Sequence, residues 1–532
     1  MKLRSGSPPA GASLRAAARS CTTLVMASLV CLPPPVVAQP ASAMVFPSEQ
    51  CDTESMQKLA PADTTIGFAA REGQICRVGG YVTTQNPGPN RVLFALALPN
   101  SFNGRYVYLG VGGAGGQVPV LTPSLLERGF ALAGSDAGTG AKSGNDYRFQ
   151  SDPAKSLDYA YRGVRVTAAA TQQITRAYYK RDTVHRYISG CSAGGVMGMT
   201  NARRFGDADF DGFLVGASPW PGSLYPAFAY RVVQYLQTHP DGWISPELLG
   251  KAQAAIMARY DGADGFVDGI IADQRNIGDF DIGILRELGF TPAQIETFDM
   301  IRKPMRIPVN WRGSTGMQPP FPVATVASWP AFLTGRIQPP WPDSTQMPPI
   351  EQAMRGVPFS HVLADTRTRA TYPGKNYVDI RDPKELVRIA WRDGQDQPYE
   401  DPMDFGAMAR GKARMIFYHG VDDQAISYLE SLGAYETLMR RFPNSSTWLR
   451  AFMVPGLQHC AGGKGPTEVS EPLLDALIDW VENGKAPDEV QMARYSKAKG
   501  LEREFLACAE PRRAHFDASG KASCAIPSDR AK

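Results

Sequence analysis

Apolar residues along the chain come in short runs, and these runs alternate with stretches in which apolar residues recur at helical spacing. Runs rich in β-branched and aromatic residues predict strands at 80–83, 92–98, 105–109, 130–134, 187–189, 212–216, 413–418 and 448–454. Helical spacing marks 161–179, 428–440 and 471–483, and a further helix is predicted after residue 192, through about Arg204. This alternation predicts a doubly wound parallel sheet, so the expected fold class is α/β.

The alternation breaks off after Ser218-Pro219-Trp220 and returns only near residue 405. The stretch between mixes helices with Pro- and Trp-bearing segments, and its pattern shows no clear strand order. We therefore predict an α/β core in two parts, 44–218 and 405–532, and a lid inserted at 219–404 above the carboxyl ends of the strands. Aromatic side chains of the lid could line an acyl pocket, but most of its tryptophans, such as Trp311, Trp329, Trp341 and Trp391, are expected to be ordinary packing.

The amino-terminal stretch has the composition of a secretory signal peptide. Four basic residues precede the apolar run 22–32, and the small residues Ala41-Ser42-Ala43 follow it. The pattern predicts a signal peptide at 1–43, cleaved after about Ala43. The apolar run is far shorter than the roughly 20 residues that span a membrane, and a lipoprotein anchor at Cys31 is disfavoured by Val30. The mature protein is thus expected to be secreted or periplasmic.

Charge argues against some classes of partner. The formal net charge of the chain is +4, and removal of the four basic residues of the signal peptide brings it to about zero. Such a balance favours neither nucleic acid nor an acidic membrane surface as a partner.

Six of the eight cysteines lie beyond the predicted signal peptide, at positions 51, 76, 191, 460, 508 and 524. An even number in an exported chain suggests disulfides. Local pairing of Cys51 with Cys76 and of Cys508 with Cys524 leaves Cys191 with Cys460. A zinc site is the alternative, but no two of these cysteines have the tight spacing of zinc ligands.

Chemistry is suggested first by Gly190-Cys191-Ser192-Ala193-Gly194, which joins a predicted strand to a predicted helix. Gly-x-Ser-x-Gly in this setting is the pattern of a nucleophile elbow, although a chain with 52 glycines can also contain it by accident. The glycine-rich segment 110–116 follows the strand 105–109 and lacks the Gly-Lys-Ser/Thr ending of a phosphate-binding loop. Its position suits an oxyanion-hole loop; a flexible surface loop is the alternative.

A nucleophilic serine needs a base, and the base needs an orienting carboxylate. Ser192 is followed by Asp422 and Asp423 at a predicted strand end and then by His459, which is the chain order of an α/β-hydrolase triad. His419 precedes the acids and is interpreted as structural. If His459 bonds to Ser192, the neighbouring Cys191 and Cys460 lie close enough for a disulfide, since disulfides need Cα atoms roughly 5–6 Å apart.

Three motifs together resemble the tannase/feruloyl esterase family: Gly190-Cys191-Ser192-Ala193-Gly194-Gly195, His419-Gly420-x-x-Asp423 and Pro455-Gly456-x-x-His459-Cys460-x-Gly462-Gly463. The resemblance implies an α/β-hydrolase fold with Ser192 as nucleophile, Asp423 as acid and His459 as base, Asp422 being the less favoured acid. It also implies a disulfide across the triad. One oxyanion donor would be the N–H of Ala193, and the second would come from Gly112 or Gly113.

The resemblance also implies a structural calcium site in the lid. Its ligands would be three carboxylates and two carbonyls: Asp261, Asp264, Asp268, Phe266 and Ile270. Calcium takes six to eight oxygen ligands, and this spacing is not that of an EF-hand; a run of Asp-Gly turns is the alternative. The chain departs from the family pattern at four positions, which makes the substrate less certain: Thr139, Arg165, Val196 and Tyr260.

The resulting hypothesis is a secreted serine carboxylesterase that hydrolyses small aromatic acyl esters through an acyl-enzyme, with no organic cofactor. A serine amidase or peptidase with the same triad is one alternative. A non-catalytic, calcium-dependent binding protein on a hydrolase scaffold is the other. The sequence does not distinguish galloyl, hydroxycinnamoyl and terephthaloyl groups, and it makes no prediction about oligomeric state.

Overall fold

The computed structural model describes residues 50–181, 184–220, 223–306, 316–390, 401, 403–516 and 522–526. All of them belong to the unit that runs from Ala43 to Lys532. The predicted signal peptide at 1–43 lies outside the described residues, as do Trp311 and Trp391.

A nine-stranded sheet forms the centre of this unit, with strand order β1-β2-β3-β5-β4-β6-β7-β10-β11. Its strands are β1 (Thr64–Glu72), β2 (Ile75–Thr84), β3 (Asn90–Pro99), β4 (Arg105–Leu109), β5 (Ala131–Ser135), β6 (His185–Cys191), β7 (Gly212–Gly216), β10 (Arg414–Gly420) and β11 (Leu449–Val454). Among the described strands, the short β8 (Met305–Arg306) and β9 (Met317–Gln318) pair only with each other.

The prediction of a parallel sheet is correct for six strands, β5, β4, β6, β7, β10 and β11, and wrong for the first three, β1, β2 and β3. β5, β4, β6, β7, β10 and β11 run parallel, whereas β1, β2, β3 and β5 pair antiparallel. The connections explain the difference: β2 and β3 are joined by only a short turn, and parallel neighbours need a crossover of a dozen or more residues. The sheet is therefore mixed.

Helices cover both faces of the parallel part. They are α2 (Pro123–Glu127), α4 (Gly163–Tyr179), α5 (Ala193–Phe205), α14 (Tyr428–Arg441) and α15 (Ser470–Asn483), whereas α1 (Thr53–Leu59) contacts β1, and α3 (Pro153–Leu157) precedes α4. On β4, Tyr106 and Tyr108 join a core cluster with α4, whereas Val107 joins a second cluster with α15. Because both faces are covered, strands such as β7 are buried at every position and their sequence is continuously apolar.

Between β7 and β10 the chain is mainly helical. It forms α6 (Tyr225–Thr238), α7 (Pro246–Tyr260), α8 (Gly283–Glu287), α9 (Pro292–Arg302), α10 (Pro349–Met354), α11 (Phe359–Thr371), α12 (Pro383–Ala390) and α13 (Gly406–Arg410). Two tryptophans of this segment serve packing. Trp329 is fully buried and donates from Nε1 to Thr325 Oγ1 at 3.1 Å, and Trp341 donates to the carbonyl of Ile337 at 2.9 Å.

The chain does not end at α15, the last element that the pattern predicts. Two hairpins follow, β12 (Glu489–Ser496) with β13 (Gly500–Cys508) and β14 (Arg513–Phe516) with β15 (Ala522–Ala525). One disulfide, Cys508–Cys524, joins the two hairpins, and another, Cys51–Cys76, joins the start of the described chain to β2. Among the described helices, none is long and apolar enough to cross a membrane.

Candidate active site

Ser192 lies in a tight turn between the end of β6 and the start of α5. Its backbone has φ 58° and ψ −127°, a conformation that is strained for a residue with a side chain. The turn is possible because glycines stand two and three residues from Ser192, where a side chain would clash. A Cβ on Gly190 would lie 2.4 Å from the carbonyl of Gly194, and one on Gly195 would lie 2.0 Å from Ser218 Oγ. The Gly-x-Ser-x-Gly segment thus forms the nucleophile elbow that the sequence predicts.

Asp423 follows the end of β10 and is fully buried. Its Oδ2 lies 2.8 Å from His459 Nδ1 and 3.0 Å from His419 Nε2. Its Oδ1 accepts hydrogen bonds from the amides of Ala425 and Ile426, at 2.7 and 2.8 Å. Burial acts to raise the pKa of this carboxyl, but the two histidines prevail and hold its pKa well below the usual value.

Asp422 is in a different environment although it is the adjacent residue. Its carboxylate accepts a hydrogen bond from Gln274 Nε2 at 3.4 Å. Asp422 and His459 are both described residues, and the structure contains no hydrogen bond between them. Desolvation raises the pKa of Asp422 to about 7. Of the two candidate acids, the structure therefore places Asp423, and not Asp422, against His459.

A disulfide joins the residues next to Ser192 and His459. Cys191 and Cys460 are bonded with their Cα atoms 5.8 Å apart, and Ser192 and His459 line the same cavity. The structure contains no hydrogen bond between Ser192 Oγ and the His459 ring, although both residues are described. Such contacts are often long in unliganded enzymes and shorten when substrate binds. The Phe332 ring packs edge-on against the imidazole, with the ring centres 5.5 Å apart.

Backbone amides are available beside Ser192. Ala193 is the first residue of α5, so its N–H has no partner within the helix. No backbone hydrogen bond among the described residues uses the N–H of Gly112 or Gly113. Gly113 has φ +56°, and a Cβ there would lie 2.3 Å from the Gly144 carbonyl oxygen. These three residues line the same cavity as Ser192, where the sequence predicts the oxyanion donors.

Comparison with known proteins agrees with this geometry. The family model described as tannase and feruloyl esterase matches residues 76–280 and 400–531, more than half of the chain. The chain belongs to the tannase and feruloyl esterase family. It is a carboxylic ester hydrolase, as are the relatives that it resembles.

Two curated relatives and one solved structure illustrate the similarity. The probable feruloyl esterase B-1 of Aspergillus flavus is 24% identical over 468 residues, which cover 84% of each chain. The mono(2-hydroxyethyl) terephthalate hydrolase of Piscinibacter sakaiensis is 27% identical over 515 residues, 84% of this chain and 82% of that one. The crystal structure of feruloyl esterase B from Aspergillus oryzae has a TM-score of 0.72 at 19% identity and covers 90% of this chain and 100% of its own, which supports the α/β-hydrolase fold.

The cavity of this family member has a volume of about 420 Å³ and largely apolar walls. Six aromatic side chains line it: Tyr147, Tyr159, Trp220, Tyr225, Phe332 and Phe359. Trp329 and Trp341 are not among its lining residues. The aromatic lining was not predicted from the sequence, because its members lie up to about 210 residues apart and no spacing rule links them. Arg367, whose guanidinium lies 4.3 Å from the centre of the Tyr147 ring, also lines the cavity.

The four departures from the family pattern have identifiable surroundings. Val196 lines the cavity. Arg165 stacks on the ring of Phe205 at 3.8 Å. Thr139 is buried and accepts a hydrogen bond from a backbone amide in its own loop. Tyr260 ends α7, immediately before the predicted calcium loop. Of the four, only Val196 borders the cavity around Ser192.

The predicted calcium loop does not assemble a metal-ligand cluster in the described part of the chain, where no three acidic, histidine or cysteine side chains are close enough to hold an ion. The loop's own amides occupy the carboxylates: Gly269 N–H bonds to Asp261, and Ala272 N–H bonds to Asp264. Asp268 pairs with Arg503 on β13. The residue types suit calcium. Phe266 and Ile270 border a neighbouring cavity, and their role as ligands stays a prediction.

Proposed function

We propose that this esterase hydrolyses aromatic acyl esters through an acyl-enzyme on Ser192, with His459 as base and Asp423 as orienting acid. The observation that carries the proposal is the set of contacts around His459. Its Nδ1 bonds to a buried carboxylate at 2.8 Å, and the adjacent Cys460 is covalently tied to the residue before Ser192. The imidazole is thereby held in the cavity of the strained serine with Nε2 free to act.

The chemistry follows from these positions. His459 Nε2 accepts the Ser192 proton as Oγ attacks the ester carbonyl, and Asp423 stabilises the imidazolium that forms. The N–H of Ala193 and a donor from Gly112 or Gly113 bind the developing oxyanion. His459 returns the proton to the leaving alcohol, and the acyl group remains on Ser192. Water, activated by the same imidazole, then releases the acid and restores the serine.

The cavity supports an aromatic acyl group as substrate. Six aromatic rings line a space of about 420 Å³, enough for one ring and its ester linkage but not for a polymer. Aromatic rings pack favourably edge-to-face or offset, so flat acyl groups gain more in this cavity than flexible aliphatic chains do. Relatives named feruloyl esterase and mono(2-hydroxyethyl) terephthalate hydrolase act on aromatic esters by their names, which is consistent with this proposal.

Three further parts of the hypothesis belong to the same proposal. We place the mature protein outside the cytoplasm, because three disulfides persist in an oxidising compartment. The segment 219–404 acts as the lid that completes the cavity, since Phe332, Phe359 and Leu363 lie in it. Calcium binds to the loop of Asp261, Asp264 and Asp268 and stabilises the lid without taking part in the reaction.

Burst kinetics with matched aryl and alkyl esters, followed by intact mass spectrometry, test the proposal. The expected result is an initial burst of alcohol and an acyl adduct that maps to Ser192, with aromatic acids favoured. Ser192→Ala should abolish the burst and turnover while leaving the melting temperature unchanged. Ser151→Ala, on an exposed serine away from the cavity, is the control and should retain both. Full activity of Ser192→Ala would contradict the mechanism, and equal rates on matched amides would contradict the reaction class.

A further inference from the structure

A second histidine contacts the acid of the proposed triad. His419, at the end of β10, is fully buried. Its Nε2 lies 3.0 Å from Asp423 Oδ2 and 3.0 Å from the carbonyl oxygen of Ile426, and its Nδ1 lies 2.8 Å from Ser431 Oγ on α14. This side chain does not line the cavity, so it has no access to substrate.

The partners of His419 determine which of its ring nitrogens carries a proton. A carboxylate and a carbonyl are both acceptors only, so the Nε2 between Asp423 and Ile426 must carry a proton. A hydroxyl can donate as well as accept, and the Ser431 O–H can therefore donate to Nδ1. A ring with its proton on Nε2 therefore satisfies all three contacts.

The contacts of Asp423 show what this hydrogen bond does. A carboxylate has about four acceptor positions, and Asp423 has four donors: two backbone amides on Oδ1 and two imidazoles on Oδ2. With both positions of Oδ1 occupied and one of Oδ2 taken by His419, the remaining position faces His459. The carboxylate cannot rotate without losing bonds that burial leaves no water to replace.

We propose that His419 is a positioning residue for ester hydrolysis. Through its Nε2–H, it fixes the Asp423 carboxylate so that Oδ2 meets His459 Nδ1, and the Ser431 hydroxyl holds the other ring nitrogen. This inference rests on the proposed function, because it assigns a role relative to the triad of Ser192, Asp423 and His459. It replaces the interpretation of His419 as merely structural.

Two substitutions of similar size separate this role from packing. In His419→Gln the side-chain amide nitrogen reaches about as far as Nε2 and can still donate to Asp423, whereas in His419→Asn it reaches only about as far as Nδ1. The expected result for His419→Asn is a fall in kcat of about 100-fold, the effect of a small misplacement in an active site, with KM within about twofold. His419→Gln should recover most of that loss. Thermal melting of both variants reports their stability.

A combination with Asp423→Asn provides a second readout. If His419 acts only through Asp423, His419→Asn should cost little more once that carboxylate is gone, because residues that act as a unit are not additive. Full additivity of the two losses, equal kcat for the Gln and Asn variants, or a change in KM alone would overturn the proposal. If His419→Asn does not fold, Ser431→Ala takes its place: a lower kcat at constant KM supports the proposal, and an unchanged kcat overturns it.

Ser192→Ala, measured alongside, distinguishes the two levels of inference. An active Ser192→Ala protein would refute the proposed mechanism itself. An inactive Ser192→Ala protein together with a fully active His419→Asn protein would refute only the role of His419.

Discussion

Replacing each of the adjacent acids by its amide gives a sharp test of the site, because Asp423→Asn and Asp422→Asn make the same chemical change at neighbouring positions. All four groups that surround Asp423 in the structure are donors. An amide offers one acceptor oxygen and an NH₂ group that is itself a donor. In either orientation of the amide introduced by Asp423→Asn, two of the four native donors would therefore face another donor.

The cheapest relief is a change of tautomer at His459, which puts its proton on Nε2, where the mechanism needs a lone pair. The same substitution in a serine protease triad lowers kcat about 10⁴-fold, which corresponds to about 5.4 kcal/mol at 1.36 kcal/mol per factor of ten. We expect a loss of that order for Asp423→Asn with KM little changed. Asp422 contacts Gln274 rather than His459, and its amide variant should retain kcat within about threefold of the parent.

The assay is steady-state hydrolysis of one aryl ester at saturating concentration, with a melting curve for each variant. Comparable activity in the two amide variants, or a greater loss in Asp422→Asn, would refute the assignment of Asp423. A loss in Asp423→Asn that is accompanied by unfolding would be assigned to stability rather than to the tautomer.

Three other predictions follow from the same structure. Replacing Cys191 and Cys460 by Ala should lower both kcat and the melting temperature. On a chain-entropy basis, closing their loop of 269 residues destabilises the unfolded chain by about 5.6 kcal/mol. The matched Cys51/Cys76 double variant, whose loop spans 25 residues, should lower the melting temperature alone. A pH effect is expected at Asp422, whose folded pKa of about 7 is raised above the unfolded value. Its stabilising protonation is complete below about pH 4 and is lost as the pH rises through 7, so the melting temperature of Asp422→Asn relative to the parent should be higher at pH 8 than at pH 5; a pH-independent difference would contradict this. Calcium at 100 times its Kd should stabilise the enzyme by about 2.7 kcal/mol, visible as a higher melting temperature than in chelator; identical curves would exclude the predicted site.

The parts of the fold that could be predicted are those with strong local patterns. The strands β4 and β7 have the predicted bounds. β7 is buried at every position and β4 at its three central positions, so each stands out as a short aromatic or apolar run. Strands β12 and β13 were not predicted. The second of them, Gly500–Cys508, has exposed charged residues in its first half, so neither alternation nor an apolar run marks it. Tertiary pairing, rather than local pattern, forms this hairpin.

The same distinction applies to the site. Motifs and chain order mark Ser192, Asp423 and His459, and the structure places Asp423 against His459 and His459 in the cavity that Ser192 lines. No motif marks the aromatic residues that line the cavity. Trp220 and Phe359, for example, are far apart in sequence and line the same cavity only because the chain folds between them. The hydrogen bond between His419 and Asp423 was not predicted for another reason. A histidine at a strand end can serve packing or can position an acid, and the orientation of its ring, which the sequence does not show, decides between the two.

The disulfide between Cys191 and Cys460 also closes the segment between these two residues into a covalent ring. Every residue between them, including the whole helical segment from α6 to α13, lies inside a loop closed at the nucleophile elbow. A protease that cuts once anywhere in that segment leaves two pieces still bonded beside Ser192. Such a nicked molecule separates only after reduction. Because the disulfide anchors both ends of the helical segment at one point, insertions and substitutions in that segment can change the substrate pocket. The positions of the residues next to the disulfide, Ser192 and His459, are then preserved.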